Sequence, residues 1–528
     1  MRGEEERSKS EKPFWLPLTA VALLTVALAA CRDGEPKVQG PLTIDLASQR
    51  PALTLFGARP QDRVSAVASG DVNGDGTADI IVGAFAADGP DASRPDAGEA
   101  YVIFGPPTRW GKIIDLAAAQ PDVTILGADS GDSLGFALAA GDVNGDGIDD
   151  ILVGALLADG PNNQRPNAGE AYVIFGSPSL PETIDIASGQ QDLTIFGDEE
   201  DDRLGVALAS GDANGDARAD ILVGAFLTDG PQNARYQGGE AYLIFGSPSL
   251  SGTRDMALAG YDLAVIAADD DDQLGHHLAM GDLNDDGLDD LILAAFRADG
   301  PNNAREDSGE VYVLFGSPSL AGALDLASSP PDVVVTAADA GDDLGGAVAS
   351  GDVNGDGIAD LLIGAPRADG PANTRGSAGE AYVIFGSPSL AGTFDIAQSQ
   401  QAVTILGADA SDRLGASMAS GDVNGDGTAD IILGAETADG RRNAKRDAGE
   451  VYVVLGSPAL GPTLDIAESA QSATVLGAQP GDVLGVSVAA ADWNGDGRDD
   501  VLAAARAAAG PDGTRKDAGA AYVIPISP

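Results

Sequence analysis

A nine-residue string, Asp71-Val72-Asn73-Gly74-Asp75-Gly76-Thr77-Ala78-Asp79, returns in closely similar form from Asp142, Asp212, Asp282, Asp352, Asp422 and Asp492. The first step is 71 residues and every later one is 70. Tyrosines behind a Gly-Glu-Ala or Gly-Glu-Val string keep the same interval, at Tyr101, Tyr172, Tyr242, Tyr312, Tyr382 and Tyr452. Ala520-Ala521-Tyr522 is the seventh copy. Repetition at this period means one small structural unit copied seven times, and such a unit cannot bury both its faces alone.

The third unit shows what is copied. Leu193-Thr194-Ile195-Phe196, Val206-Ala207-Leu208-Ala209, Ile221-Leu222-Val223 and Ala241-Tyr242-Leu243-Ile244-Phe245 are short apolar runs with glycine close behind each. Runs of this length with glycine or aspartate boundaries read as strands, and none has helical periodicity. A fifth run, Thr183-Ile184-Asp185-Ile186, extends the outer edge. Four-stranded units of about 70 residues, seven times over, predict an all-β fold, a seven-bladed β-propeller spanning residues 42–528. An open β-solenoid is the other architecture considered, but its rungs are usually shorter. Leu42–Leu46 and Leu53–Phe56 match the outer segment of later units, and the chain ends on a third strand, Tyr522-Val523-Ile524. The N-terminal segment is therefore expected to add the outer strand of the last blade and close the ring.

The recurring string carries chemistry. Asp-x-Asn-x-Asp-Gly-x-x-Asp curls so that oxygens at positions 1, 3, 5 and 9 and the carbonyl of position 7 face inward, and calcium wants roughly six to eight such oxygens. In the first unit these are Asp71, Asn73, Asp75, Thr77 and Asp79, and in the second Asp142, Asn144, Asp146, Ile148 and Asp150. The third and fourth units supply Asp212, Asn214, Asp216, Arg218 and Asp220, then Asp282, Asn284, Asp286, Leu288 and Asp290. The fifth and sixth supply Asp352, Asn354, Asp356, Ile358 and Asp360, then Asp422, Asn424, Asp426, Thr428 and Asp430. The seventh supplies Asp492, Asn494, Asp496, Arg498 and Asp500. Up to seven Ca2+ sites are expected. An EF-hand would need a glutamate at position 12 and flanking helices; here Val82, Val153 and Val223 stand there in the first three units, between strands. Two loops deviate. Ala217 replaces the glycine at position 6, where a left-handed backbone costs a side chain about 1 kcal/mol, and Asp285 fills position 4.

There are 82 acidic residues against 30 basic, a net charge of −52. Phosphate recognition needs a basic face, so nucleic acid is excluded as a partner. The single cysteine, Cys31, rules out an intramolecular disulfide. Phe14–Ala30 is an apolar run behind Arg7, Lys9 and Lys12, and it ends Leu28-Ala29-Ala30-Cys31. Residues 1–30 read as a secretory signal peptide and 31–41 as a polar tether. Leu-Ala-Ala-Cys resembles the bacterial lipobox, which implies lipidation at Cys31 and display outside the cytoplasmic membrane.

The repeats resemble FG-GAP repeats, the units of the integrin α-subunit propeller. The Phe-Gly element appears as Leu134-Gly135, Leu204-Gly205, Leu274-Gly275, Leu344-Gly345, Leu414-Gly415 and Leu484-Gly485. The Gly-Ala-Pro element is literal at Gly364-Ala365-Pro366, is Gly83-Ala84-Phe85 and Gly224-Ala225-Phe226 elsewhere, and becomes Ala294-Ala295 and Ala504-Ala505 in units four and seven. The resemblance implies that the loop residues above are calcium ligands and that adhesion or ligand recognition is the activity, with an unidentified protein or glycan partner. The even spacing leaves no room for the inserted ligand-binding domain of some integrins.

His276 and His277 are the chain's only imidazoles. On a regular strand, neighbours face opposite sides, so the two rings are not expected to share a metal. No catalytic constellation stands out, and a lectin-like propeller or an extracellular hydrolase are the alternative functions. In the loop between strands two and three, Asp229, Arg235 and Glu240 read as an ion-paired turn. In unit seven Ala509 and Ala520 replace the acids, which would leave Arg515 unpaired.

Overall fold

The computed structural model describes residues 40–106 and 111–526. The signal peptide, Cys31 and all of the tether before Gly40 lie outside the described residues. Among those described, no helix is long and apolar enough to cross a membrane. The propeller unit begins at Pro41.

The strands form seven sheets, each of five strands rather than four. In the third blade Leu204–Gly211 is innermost, followed outward by Asp220–Ala225, Glu240–Ile244 and Leu263–Ile266, all antiparallel. The fifth strand, Gly322–Asp325, pairs in parallel with Leu263–Ile266. It lies after the third strand of the following repeat in sequence, so each blade is completed by a stretch of chain from the next repeat. The inner strands touch in sequence around the ring, and Val64–Gly70 of the first blade meets Leu484–Ala491 of the seventh.

Closure uses two N-terminal strands on two different blades. Leu53–Phe56 pairs antiparallel with Ala520–Ile524, as the sequence leads one to expect, and supplies the fourth strand of the seventh blade. Leu42–Asp45 goes elsewhere, pairing in parallel with Ala473–Leu476 as the fifth strand of the sixth blade. Lys112–Asp115 then finishes the seventh blade. The offset follows from the parallel fifth strand, which always crosses from one repeat to the blade before it.

Seven apolar cores lie between neighbouring blades. One packs Leu152, Val173, Leu193 and Ile195 of the second blade against Leu204, Ile221, Val223 and Tyr242 of the third. Sheet stacking buries both faces, which is why the second strands are buried end to end and the ring has no unpacked first or last blade. Two glycines set the blade spacing. Gly205 has φ 87°, and a Cβ on Gly154 of the preceding blade would lie 2.1 Å from its carbonyl oxygen. The Leu-Gly and Gly-Ala elements are thus a backbone-to-backbone contact between adjacent blades. Where Ala294 replaces the glycine, a Cβ added at Gly345 would lie 2.9 Å from its methyl, and the inner strand of the fifth blade starts late, at Ala347–Gly351.

Candidate functional site

The seven aspartate-rich loops join inner to second strands, so all lie at one end of the ring. In the second loop, Asp142 accepts hydrogen bonds from the backbone N–H groups of Gly145, Asp146 and Gly147 at 2.7–3.0 Å. Asp146 accepts from Ile148 N–H at 3.0 Å. Gly145 and Gly147 take φ of 80° and 88°, which lets the loop double back. Ala217 and Asp285 adopt the same left-handed backbone, at 64° and 61°, despite their side chains.

Position 9 behaves differently from the rest. Asp150 is fully buried. Its Oδ1 accepts from Gly176 N–H at 2.9 Å and Asn144 Nδ2 at 3.1 Å, and its Oδ2 from Val143 N–H at 3.0 Å and Asn144 N–H at 3.2 Å. It pins the loop to the end of the third strand of its own blade. Asp79, Asp220, Asp290, Asp360 and Asp430 repeat the bond to a distant glycine. Burial raises the Asp150 carboxyl to about 7, against the pull of the Gly176 and Asn144 N–H groups, and Asp146 adds like charge.

The loops are also linked to each other. Asp149 N–H donates to the carbonyl of Asp71 in the preceding blade, and the same bond runs from Ala219, Asp289, Ala359, Ala429 and Asp499. Asp149, Asp289 and Asp499 add a side-chain bond back to the same residue of the loop before. Position 8 is silent in the sequence pattern, so this chaining could be suspected only from the recurrence of aspartate there.

The donors of each loop are oxygen throughout, the chemistry a hard cation selects. Asn284 Oδ1, at position 3 of the fourth loop, is buried without a hydrogen-bond partner, a lone acceptor facing no donor. These residues therefore fit a cation. Among the described residues no group of three or more His, Cys, Asp or Glu side chains converges closely enough to hold an ion alone, because the position-9 carboxylate is turned onto backbone N–H groups. Asn and the carbonyls would complete the donor set for a bound ion.

At the ring centre is a cavity of 720 Å³ lined by all seven inner strands, with Ser65, Phe136, Val206, His276, Ala347, Ser417 and Ser487 among its walls. Its mouth at the end opposite the loops carries the first residues after the second strands. Arg506 and Arg413 both reach Glu436, at 3.3 and 3.5 Å, and Arg63 lies 5.7 Å over the Phe85 ring. The two histidines do not point to opposite sides. The ladder shifts register between Leu274 and His277, and this bulge brings His276 Nδ1 within 3.2 Å of His277 Nε2. Burial lowers His276 to about 4, and burial together with the neighbouring His276 holds His277 well below the usual imidazole range, so both are neutral at pH 7.

The expected turn around Arg235 is also rearranged. Arg235 pairs with Asp325 on the outermost strand at 2.7 Å, while Asp229 accepts Gln237 N–H and Glu240 accepts the Tyr242 hydroxyl at 2.6 Å. Arg515 is not unpaired: it contacts Asp115 at 2.6 Å and the Gly57 carbonyl at 2.7 Å. The partner is an aspartate that ends the fifth strand, about 90 residues ahead in most blades, a separation too long to read locally.

The FG-GAP repeat pattern matches residues 64–103, 134–174, 274–314, 344–384 and 414–454. Five of the seven blades are FG-GAP repeats. The third and seventh blades, outside those matches, keep the same strand order. Integrin alpha pat-2 of Caenorhabditis briggsae is 31% identical over 243 residues, covering 44% of this chain and 18% of that protein. Phosphatidylinositol-glycan-specific phospholipase D of Rattus norvegicus is 34% identical over 182 residues, 33% of this chain and 20% of the relative. Integrin alpha-PS2 of Drosophila melanogaster is 30% identical over 179 residues, 33% and 12% respectively. The matched stretch thus covers a fifth or less of each of these relatives.

Proposed function

We propose that this FG-GAP propeller is a calcium-stabilised binding module that presents its ligand site at the channel mouth, opposite the loops. Seven chained loops with all-oxygen donors carry the calcium reading. Bound Ca2+ would neutralise carboxylates that otherwise repel one another, and would favour the folded state by mass action. Asp71, Asn73, Asp75, Asp79 and the Thr77 carbonyl would hold it in the first blade, with their counterparts in the others. The loop end is committed to holding the ring together. The other end, with the exposed Arg63, Arg367, Arg413 and Arg506, is the surface for recognition.

Adhesion is the activity taken from the integrin relatives. Display on a lipid anchor at Cys31, outside the cytoplasmic membrane, is the localisation this reading adopts. No reaction is assigned to the chain. Capture of protein and glycan ligands on arrays by the Ca2+-loaded chain tests the reading. Binding should disappear with chelator and weaken in Arg506→Ala; ligands held equally well by the chelated protein would count against it. Fatty-acid labelling that survives Cys31→Ser would remove the anchor.

A further inference from the structure

The two imidazoles of this chain stand side by side in the wall of the central cavity, on the inner strand of the fourth blade. At the same two places the other blades carry small or apolar residues, such as Ser65-Ala66, Val206-Ala207 and Ala416-Ser417. The bulge that most inner strands share here carries two imidazoles that both line the cavity, and one nitrogen from each meets across 3.2 Å. His276 is held between Phe226 and Phe296, with ring centroids 4.9 and 4.6 Å away. Its orientation is therefore fixed by packing.

Two imidazole nitrogens in such close contact have the arrangement of a two-histidine metal site with the metal removed. Nitrogens 3.2 Å apart, each about 2.0 Å from a common ion, subtend roughly 105°, close to tetrahedral. Neutral imidazole suits copper, zinc and nickel, with Cu2+ bound most tightly, and does not suit calcium. The geometry points to a second metal centre, formed by His276 Nδ1 and His277 Nε2, for a divalent ion of the copper–zinc type. Its remaining positions open to the cavity and take water or an incoming anion. This centre shares no residue with the aspartate loops.

Electron spin echo spectroscopy of the full chain tests it. The protein is made without a histidine tag, loaded with Ca2+ and given one equivalent of Cu2+. The expected result is modulation from the remote nitrogens of two imidazoles, a signal that only a large excess of Zn2+ reduces. Because the chain has two histidines in all, the wild-type spectrum is decisive even where a variant fails to fold. His276→Phe and His277→Asn, where they keep the wild-type thermal transition, should each weaken Cu2+ binding at least tenfold. A spectrum with one imidazole or none, such as Cu2+ on carboxylates alone would give, or unchanged affinity in both variants, overturns the proposal.

Discussion

Lys445 Nζ lies 2.8 Å from Asp45 Oδ1, a contact across 400 residues of sequence. It is one of a set of latches in which a basic residue between strands two and three grips the aspartate ending the fifth strand. Five blades use arginine on a strand from the next repeat. In the last two blades the gripped strands come from the N-terminal segment and first repeat, so Lys445–Asp45 and Arg515–Asp115 close the circle.

The latch assists closure, and the paired strands carry it. Lys445 and Asp45 are partly exposed, at 22% and 35%, so Asp45→Ala should cost about 1 kcal/mol or less in urea unfolding. Deleting residues 41–57 removes one strand from each of two blades and bares Ala520–Ile524. That variant should lose its single cooperative transition and aggregate.

Ala217 carries a methyl group in a left-handed conformation. Ala217→Gly should stabilise the chain by about 1 kcal/mol, and Gly147→Ala should destabilise it by a similar amount. Thermal melting of both variants checks this. No atom stands within 4 Å of a Cβ at Gly147, so the penalty comes from the backbone and not from a clash.

Asp150 is a structural pin as well as a candidate ligand. Asp150→Ala would strand the buried N–H groups of Asn144 and Gly176, each costing about 1–3 kcal/mol. Chelated protein should therefore be destabilised by this change, whereas Asp146→Ala, at an exposed position, should cost little until calcium is present. Equal effects of the two in chelator would contradict the division of roles.

Stability without calcium should fall from mildly acidic to neutral pH. Burial raises Asp62, Asp202, Asp272, Asp342 and Asp412 to about 7, and Asp132 and Asp482 to about 6, from 3.8. Between those limits the folded state binds more protons than the unfolded one. The contribution is fully present below pH 3.8 and is lost as pH rises through 6–7. Hydrogen bonds from their arginine partners lower Asp185, Asp325, Asp395 and Asp465, and this contribution is lost as pH falls below the usual carboxylate value. Urea midpoints across pH 3–8 in chelator should pass through a mildly acidic maximum.

The period of the loops and the glycine-bounded runs were enough to read the blades, the propeller and the closing role of Leu53–Phe56. The fifth strand was visible as Thr183-Ile184-Asp185-Ile186, but its blade was not, because parallel pairing across repeats leaves no local mark. Arg235 and Asp325 failed for the same reason. His276 and His277 were assigned to opposite sides because alternation assumes a regular strand, and the shift after Leu274 breaks it. The inward turn of Asp150 onto Gly176 depends on where the third strand ends, and nothing in the loop itself encodes that.

Calcium binding measured directly, by titrating the chelated chain in a calorimeter while following its melting temperature, tests the account at its centre. A stoichiometry approaching seven ions per chain, with a midpoint that climbs as sites fill, is the expected result. A chain that binds no Ca2+ at millimolar concentration and melts identically in chelator would show that the aspartate loops are turns and nothing more.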